Sequence, residues 1–268
     1  MKHPSNWSLS CLLLGWLLLS ALPLQGQDPL SAAEAAAEAA LADGRPGQAL
    51  NDLAQVLRLR ETRGTPEAYV ATAADLAMGC HQHDAPDQVW QALLALDTTS
   101  QRFRTAPPPT RGDFFNNFAA ALERHGHIEA SYLAFRQALQ AYQQAPVTDT
   151  VTHLSESSTW QMLSLYHSRQ TTLEQARDAS WQNLRLRRTY APHSPLLGDA
   201  YSDLGHIYDY MGRIDSAIWA YEEALSVFGQ VVGPHHQSVG LVANNLGVLM
   251  GKIGDYESER DYALQALT

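Results

Sequence analysis

Four side chains able to hold a borderline or soft metal ion stand within five residues: Cys80, His81, His83 and Asp84. At that spacing a thiolate, an imidazole and a carboxylate could meet one Zn or Cu ion. The pattern lacks a Cys-x-x-Cys pair or two histidines one helical turn apart. A polar turn between helices accounts for it without a metal, and metal handling is the lesser reading. The other notable histidines sit at turn residues: His125 and His127 around Gly126, His193 after Pro192, His235 and His236 after Pro234. Cys80 with a histidine could form a nucleophilic dyad. No Gly-x-Ser-x-Gly elbow, phosphate-cradling glycine loop or nucleotide fingerprint accompanies it. The expectation is a non-enzyme with no cofactor and no metal.

What positions these residues begins with what precedes them. Lys2 and His3 lead into an apolar run from Leu9 to Leu24, interrupted by Pro23 and followed by Gln25-Gly26-Gln27-Asp28. The run is shorter than the roughly 20 residues a spanning helix needs. Residues 1–27 therefore read as a secretory signal peptide cleaved near Gly26 or Gln27, which makes the protein exported, periplasmic or extracellular. An uncleaved membrane anchor is the alternative, and membrane contact is expected only in that case. After cleavage Cys80 is the one cysteine left, so packing rather than a disulfide must stabilise the chain. The formal net charge of −10 becomes one unit more negative when Lys2 leaves. Nucleic acid and anionic lipid are poor partners for such a surface, and a neutral or basic peptide is a better one.

The remaining chain repeats. Leu204-Gly205 and Leu246-Gly247, Gly212 and Gly254, and Pro192-His193 and Pro234-His235 are each offset by 42 residues. Ala200, Leu204, Ile207, Tyr208 and Met211 share one helical face. After the turn at Gly212-Arg213, Ile214, Ala217, Ile218, Tyr221, Ala224 and Leu225 share another, so the unit is a pair of amphipathic helices.

Leu204, Gly205, Tyr208, Gly212, Ala217, Tyr221 and Ala224 stand at the spacing of the tetratricopeptide repeat. The longer period and the Gly233-Pro234-His235-His236 entry resemble the kinesin-light-chain subclass of these repeats. Asn116-Asn117-Phe118-Ala119 with Gly126, Ser131, Phe135 and Ala138 forms an earlier copy, while Thr159–Arg187 is degenerate, with an inserted residue and no turn glycine. Ala33–Leu57 and Glu67–Leu96, the latter broken near His81-Gln82-His83, read as further helix pairs. The resemblance implies an all-α fold, an α-solenoid wound as a right-handed superhelix. Its parts are degenerate helix pairs over 28–104, a proline-rich linker at 105–111 that stiffens the junction, and repeats near 112–145, 156–190, 198–231 and 240–268.

The same resemblance implies function. First helices of such repeats line a concave groove that holds a protein or peptide. Carried across, the groove residues are Asn116 and Asn117, Trp160 and Gln161, Asp199, Asp203 and His206, and Asn244 and Asn245. An amide ladder can bind an extended backbone, and the aspartates favour lysine or arginine. Asn117 and Asn245 could instead bond the neighbouring repeat. Two assignments follow: an exported binding scaffold or adaptor, or the sensing array of a longer protein with a separate enzymatic or signalling domain. The last apolar helix lacks a polar cap, which suggests self-association or a continuing chain.

Overall fold

The computed structural model describes residues 28–146 and 149–267, and the signal-peptide assignment lies outside them. Among the described residues all regular structure is helical, in thirteen helices, ten of which form five packed pairs. The first pair is α1 (Pro29–Ala42) with α2 (Pro46–Arg60); α3 (Pro66–Gln82) packs chiefly on the helix that follows the single turn α5 (Gln101–Arg104) rather than on the short α4 (Asp87–Leu94). Then come α6 (Pro108–Arg124) with α7 (Ile128–Tyr142), α8 (Thr150–Arg169) with α9 (Leu173–Tyr190), α10 (Pro195–Tyr210) with α11 (Ile214–Val231), and α12 (Gln237–Ile253) with α13 (Tyr256–Ala266). None is long and apolar enough to cross a membrane. The chain is the expected α-solenoid.

In the α6–α7 and α10–α11 pairs, a glycine on the first helix admits a large ring from the second. A Cβ on Gly205 would lie 2.7 Å from the Tyr221 ring, and one on Gly198 2.7 Å from the Phe228 ring. Gly112 faces the Tyr142 ring in the same way. Tyr221, Phe228 and Tyr142 are thereby buried to 2 % exposure or less, each burial being worth about 1.5–3 kcal/mol by the area it removes from water. The α8–α9 pair has no glycine between residues 150 and 190. There the helices meet through hydroxyls: Ser164 Oγ donates to the Ala176 carbonyl at 3.1 Å and lies 2.7 Å from Ser180 Oγ.

Four of the turns between paired helices hold a left-handed glycine, Gly44, Gly126, Gly212 and Gly254, with φ between 68° and 83°. In the degenerate unit Thr171 fills this place at φ 57°, eight residues after Leu163 as Gly212 is eight after Leu204. A β-branched residue there is strained.

The stretch 105–111, read as a linker, instead begins α6: Pro107 precedes the helix and Pro108 and Pro109 form its first turn. Proline is favoured there because no first-turn amide has a helical partner to lose. No spacer separates two arrays, since Asn117 Nδ2 on α6 donates to the Ala74 carbonyl of α3 at 3.1 Å and Arg124 reaches back to the His81 carbonyl at 2.9 Å.

Two substitutions test the interlock and the turn. Gly205→Ala drives a methyl into the Tyr221 ring and should lower stability by about 1–3 kcal/mol. Thr171→Gly should raise it by about 0.5–1 kcal/mol, strain relief exceeding the added chain entropy. Urea unfolding midpoints check both, and an unchanged midpoint in Gly205→Ala would contradict the interlock.

Candidate functional site

The residues expected to line the groove do lie on first helices, α6, α8, α10 and α12, but repeat-to-repeat bonds occupy many of them. Thr159 Oγ1 donates to Asn116 Oδ1 at 2.8 Å, and Asn117 is committed to Ala74 as described. Gln161 Nε2 donates to Asp203 Oδ2 at 2.7 Å. Trp160 is half-buried, its indole N–H donating to Glu156 Oε1 at 3.3 Å. His206 Nε2 lies 3.4 Å from Asn245 Nδ2, and His206 Nδ1 2.9 Å from the Tyr221 hydroxyl. A neutral imidazole satisfies both contacts, accepting on one nitrogen and donating on the other. Burial holds the His206 pKa below its ordinary value, which suits that role. Asn244 is exposed and Asp199 half-buried. The amide ladder is thus in large part the cement between repeats. Of the two readings of Asn117, the structure has the bond to the neighbouring repeat, and Asn245 is engaged in the same manner.

Carboxylates remain open on this wall. Asp75 on α3 and Asp113 on α6 are exposed yet walled by protein on most sides. This desolvation pushes the Asp75 carboxyl up to about 6, with Arg60 opposing and Asp113 reinforcing the rise. Asp113 is raised for the same first reason, although it accepts from Tyr142 Oη at 2.8 Å. Asp199 is raised by desolvation against the pull of Arg187, and Asp203, half-buried under Gln161, is pushed up to about 6. Asp209, by contrast, is paired with Lys252 at 2.6 and 2.8 Å. The wall therefore carries negative charge that protein cations only partly answer.

Asp75 and Asp113 were not among the residues expected from the sequence. Asp75-Leu76-Ala77 is the counterpart of Asp203-Leu204-Gly205, but Ala77 replaces the glycine and Asp84 stands where the turn glycine belongs, which hides the register. Asp113 precedes Asn116 by three residues, as Asp199 precedes Ser202.

The candidate metal cluster is not brought together. Cys80 is fully buried in the core and its thiol is pushed up to about 11 by desolvation. His81 Nδ1 lies 3.1 Å from the Ala120 carbonyl, and Asp84, open to solvent, pairs with Arg124 at 2.8 Å. A thiol facing the core and two outward polar groups cannot share an ion, and among the described residues no group of three or more metal-capable side chains converges.

The raised Asp203 carboxyl gives a signed pH test. Its folded pKa near 6 lies above the ordinary unfolded value of about 3.9, so holding the charge costs stability above pH 6 and the cost fades as pH falls toward 4. Asp203→Asn keeps an acceptor for Gln161 and should be more stable than the parent at pH 7, with the advantage gone by pH 4. A melting-temperature difference that is flat with pH would contradict this.

Comparison with known proteins agrees with this geometry. The tetratricopeptide repeat family model matches residues 198–229. A 71-residue segment is 42% identical to Protein KINESIN LIGHT CHAIN-RELATED 2 of Arabidopsis thaliana, covering 26% of this chain and only 10% of the plant protein. Among solved structures, BtubC (BKLC) from P. vanneervenii superposes with a TM-score of 0.57 at 15% identity, covering 89% of this chain and 88% of its own. Pseudomonas aeruginosa pilF superposes with a TM-score of 0.54 at 18% identity, covering 88% and 89% respectively. Likenesses at such identity show the fold alone, and it is the same helical solenoid. The chain is an all-α solenoid of helix pairs that matches the tetratricopeptide repeat over residues 198–229 and is similar over 71 residues to a kinesin light chain-related protein, of which it spans a tenth.

Proposed function

We propose that this solenoid is an exported binding scaffold whose concave wall takes a lysine- or arginine-bearing segment of another protein. Protein partners in general accord with a tetratricopeptide-repeat fold, and such folds typically scaffold rather than catalyse. The basic character of the ligand rests on one observation: along the first helices Asp75 and Asp113 are exposed and Asp199 is half-exposed, all three carboxyls raised by desolvation, even though Asp113 also accepts from Tyr142 and Ser155. Export rests on the leader at residues 1–27. An adaptor in that compartment needs no catalytic group, and the buried Cys80 supplies no nucleophile.

A second surface accompanies the groove. Ile253 on α12, Tyr256 on α13 and Leu267 just beyond it are exposed by 54 to 85 %. One repeat earlier, Met211, Ile214 and Leu225 stand at the corresponding places and pack half-buried against the core. A second copy of the chain, covering this face in the same way, makes the scaffold a dimer. Light scattering should then give a dimer that Ile253→Glu with Leu267→Glu reduces to a monomer. A monomeric parent at all concentrations would overturn self-association and favour the second reading, in which this array is the sensing part of a longer protein with a separate enzymatic or signalling domain.

The groove is tested by fluorescence anisotropy of a labelled Lys/Arg-rich peptide against a Glu-rich peptide of equal length. The basic peptide should bind, and Asp75→Asn, Asp113→Asn and Asp199→Asn together should weaken it about tenfold, each exposed charge contributing no more than about 1 kcal/mol. Equal affinity for both peptides, or an unchanged affinity in the triple variant, contradicts the proposal.

A further inference from the structure

The interior of the solenoid changes character at the α8–α9 pair. One apolar cluster runs from Leu50 through Leu163 to Ala179, and a separate one begins at Leu184 and ends at Met250. The division falls inside α9, within five residues. Around it the buried side chains turn polar: α8 and α9 hold eight of the ten buried polar or charged residues among those described. Ser157 Oγ donates to Asn183 Oδ1 at 2.8 Å, Arg187 Nη2 to Ser158 Oγ at 2.9 Å, and Glu156 meets His153 at 3.3 Å. Two further features single out this pair: Ser164 meets Ser180 in its interior, and its turn rests on Thr171 in a left-handed conformation.

We propose that the α8–α9 pair is a hinge on which the two apolar arms, residues 29–142 and 195–266, change their relative curvature. An interdigitated apolar interface loses contacts along its whole length when it slides. A layer of hydroxyl, amide and guanidinium groups has alternative donors and acceptors within reach and exchanges them at small net cost, since each bond is worth only about 0.5–1.5 kcal/mol. The groove spans this pair, with Asp75 and Asp113 on one arm and Asp199 and Asp203 on the other, so bending alters the spacing of its carboxylates. The hinge itself does not depend on what the groove binds.

Paired spin labels on the full-length chain test it by pulsed distance measurement. A Cys11→Ser background suffices, because the Cys80 thiol is buried and pushed up to about 11. Labels at the exposed positions Gln137 and Ser226, on α7 and α11, span the hinge across two repeats. Labels at Gln55 and Gln137, on α2 and α7, span two repeats within one arm. The distribution across the hinge should be at least twice as broad as that within the arm. Ser157→Ala with Asn183→Leu, which replaces the polar contact by apolar packing, should narrow it to the within-arm width. Equal widths in the parent overturn the hinge whether or not the repacked variant folds. A folded repacked variant that stays as broad overturns its assignment to the polar layer.

Discussion

The structure depends on how closely the first helix of each pair can approach the second. Gly205 and Gly198 leave no room for a Cβ because the rings of Tyr221 and Phe228 occupy that volume, and Gly112 does the same for Tyr142. These rings are among the largest side chains that the described residues bury. With the spacing within these pairs set by this contact, successive pairs stack and their first helices form one wall. A repeat protein has no long-range closure to enforce its shape, so each local interface counts directly.

On that wall, two demands compete for the same polar side chains. Consecutive repeats need polar groups at their junctions to be satisfied, and Asn116, Asn117, Gln161, His206 and Asn245 serve that need. A ligand needs groups that are less fully engaged. Desolvation raises the carboxyl pKa of Asp75, Asp113 and Asp199, although Asp113 accepts from Tyr142 and Asp199 is half-buried near Arg187. Holding charge there is costly, and a nearby cation would relieve that cost.

Much of the fold was legible because its signals are local. Leu204-Gly205 with Gly212 and Leu246-Gly247 with Gly254 carry both the helix contact and the turn, so a 42-residue offset is enough to expose the repeat. The groove was less legible. Whether an asparagine on a first helix bonds a neighbour or faces a ligand depends on the next repeat, some 43 residues away in the case of Asn117 and Ala74, and no local pattern encodes it. Asp75 was hidden because Ala77 and Asp84 replace the two glycines that set the register. The three prolines 107–109 resemble a spacer in isolation and become a helix start only because α6 packs directly on α3. The degenerate unit was visible as a departure, but that its turn falls on Thr171 and its interior on a polar layer required the structure.

The central claim is that ligand and cement are separated on one concave wall, with the binding carried by carboxylates of the first helices. The most direct measurement is photo-crosslinking of a lysine-rich peptide to the full-length protein, with attachment sites mapped by mass spectrometry. The account predicts attachment on α3, α6 and α10 beside Asp75, Asp113 and Asp199. Attachment confined to the second helices α7, α9 and α11, or none at all, would contradict it.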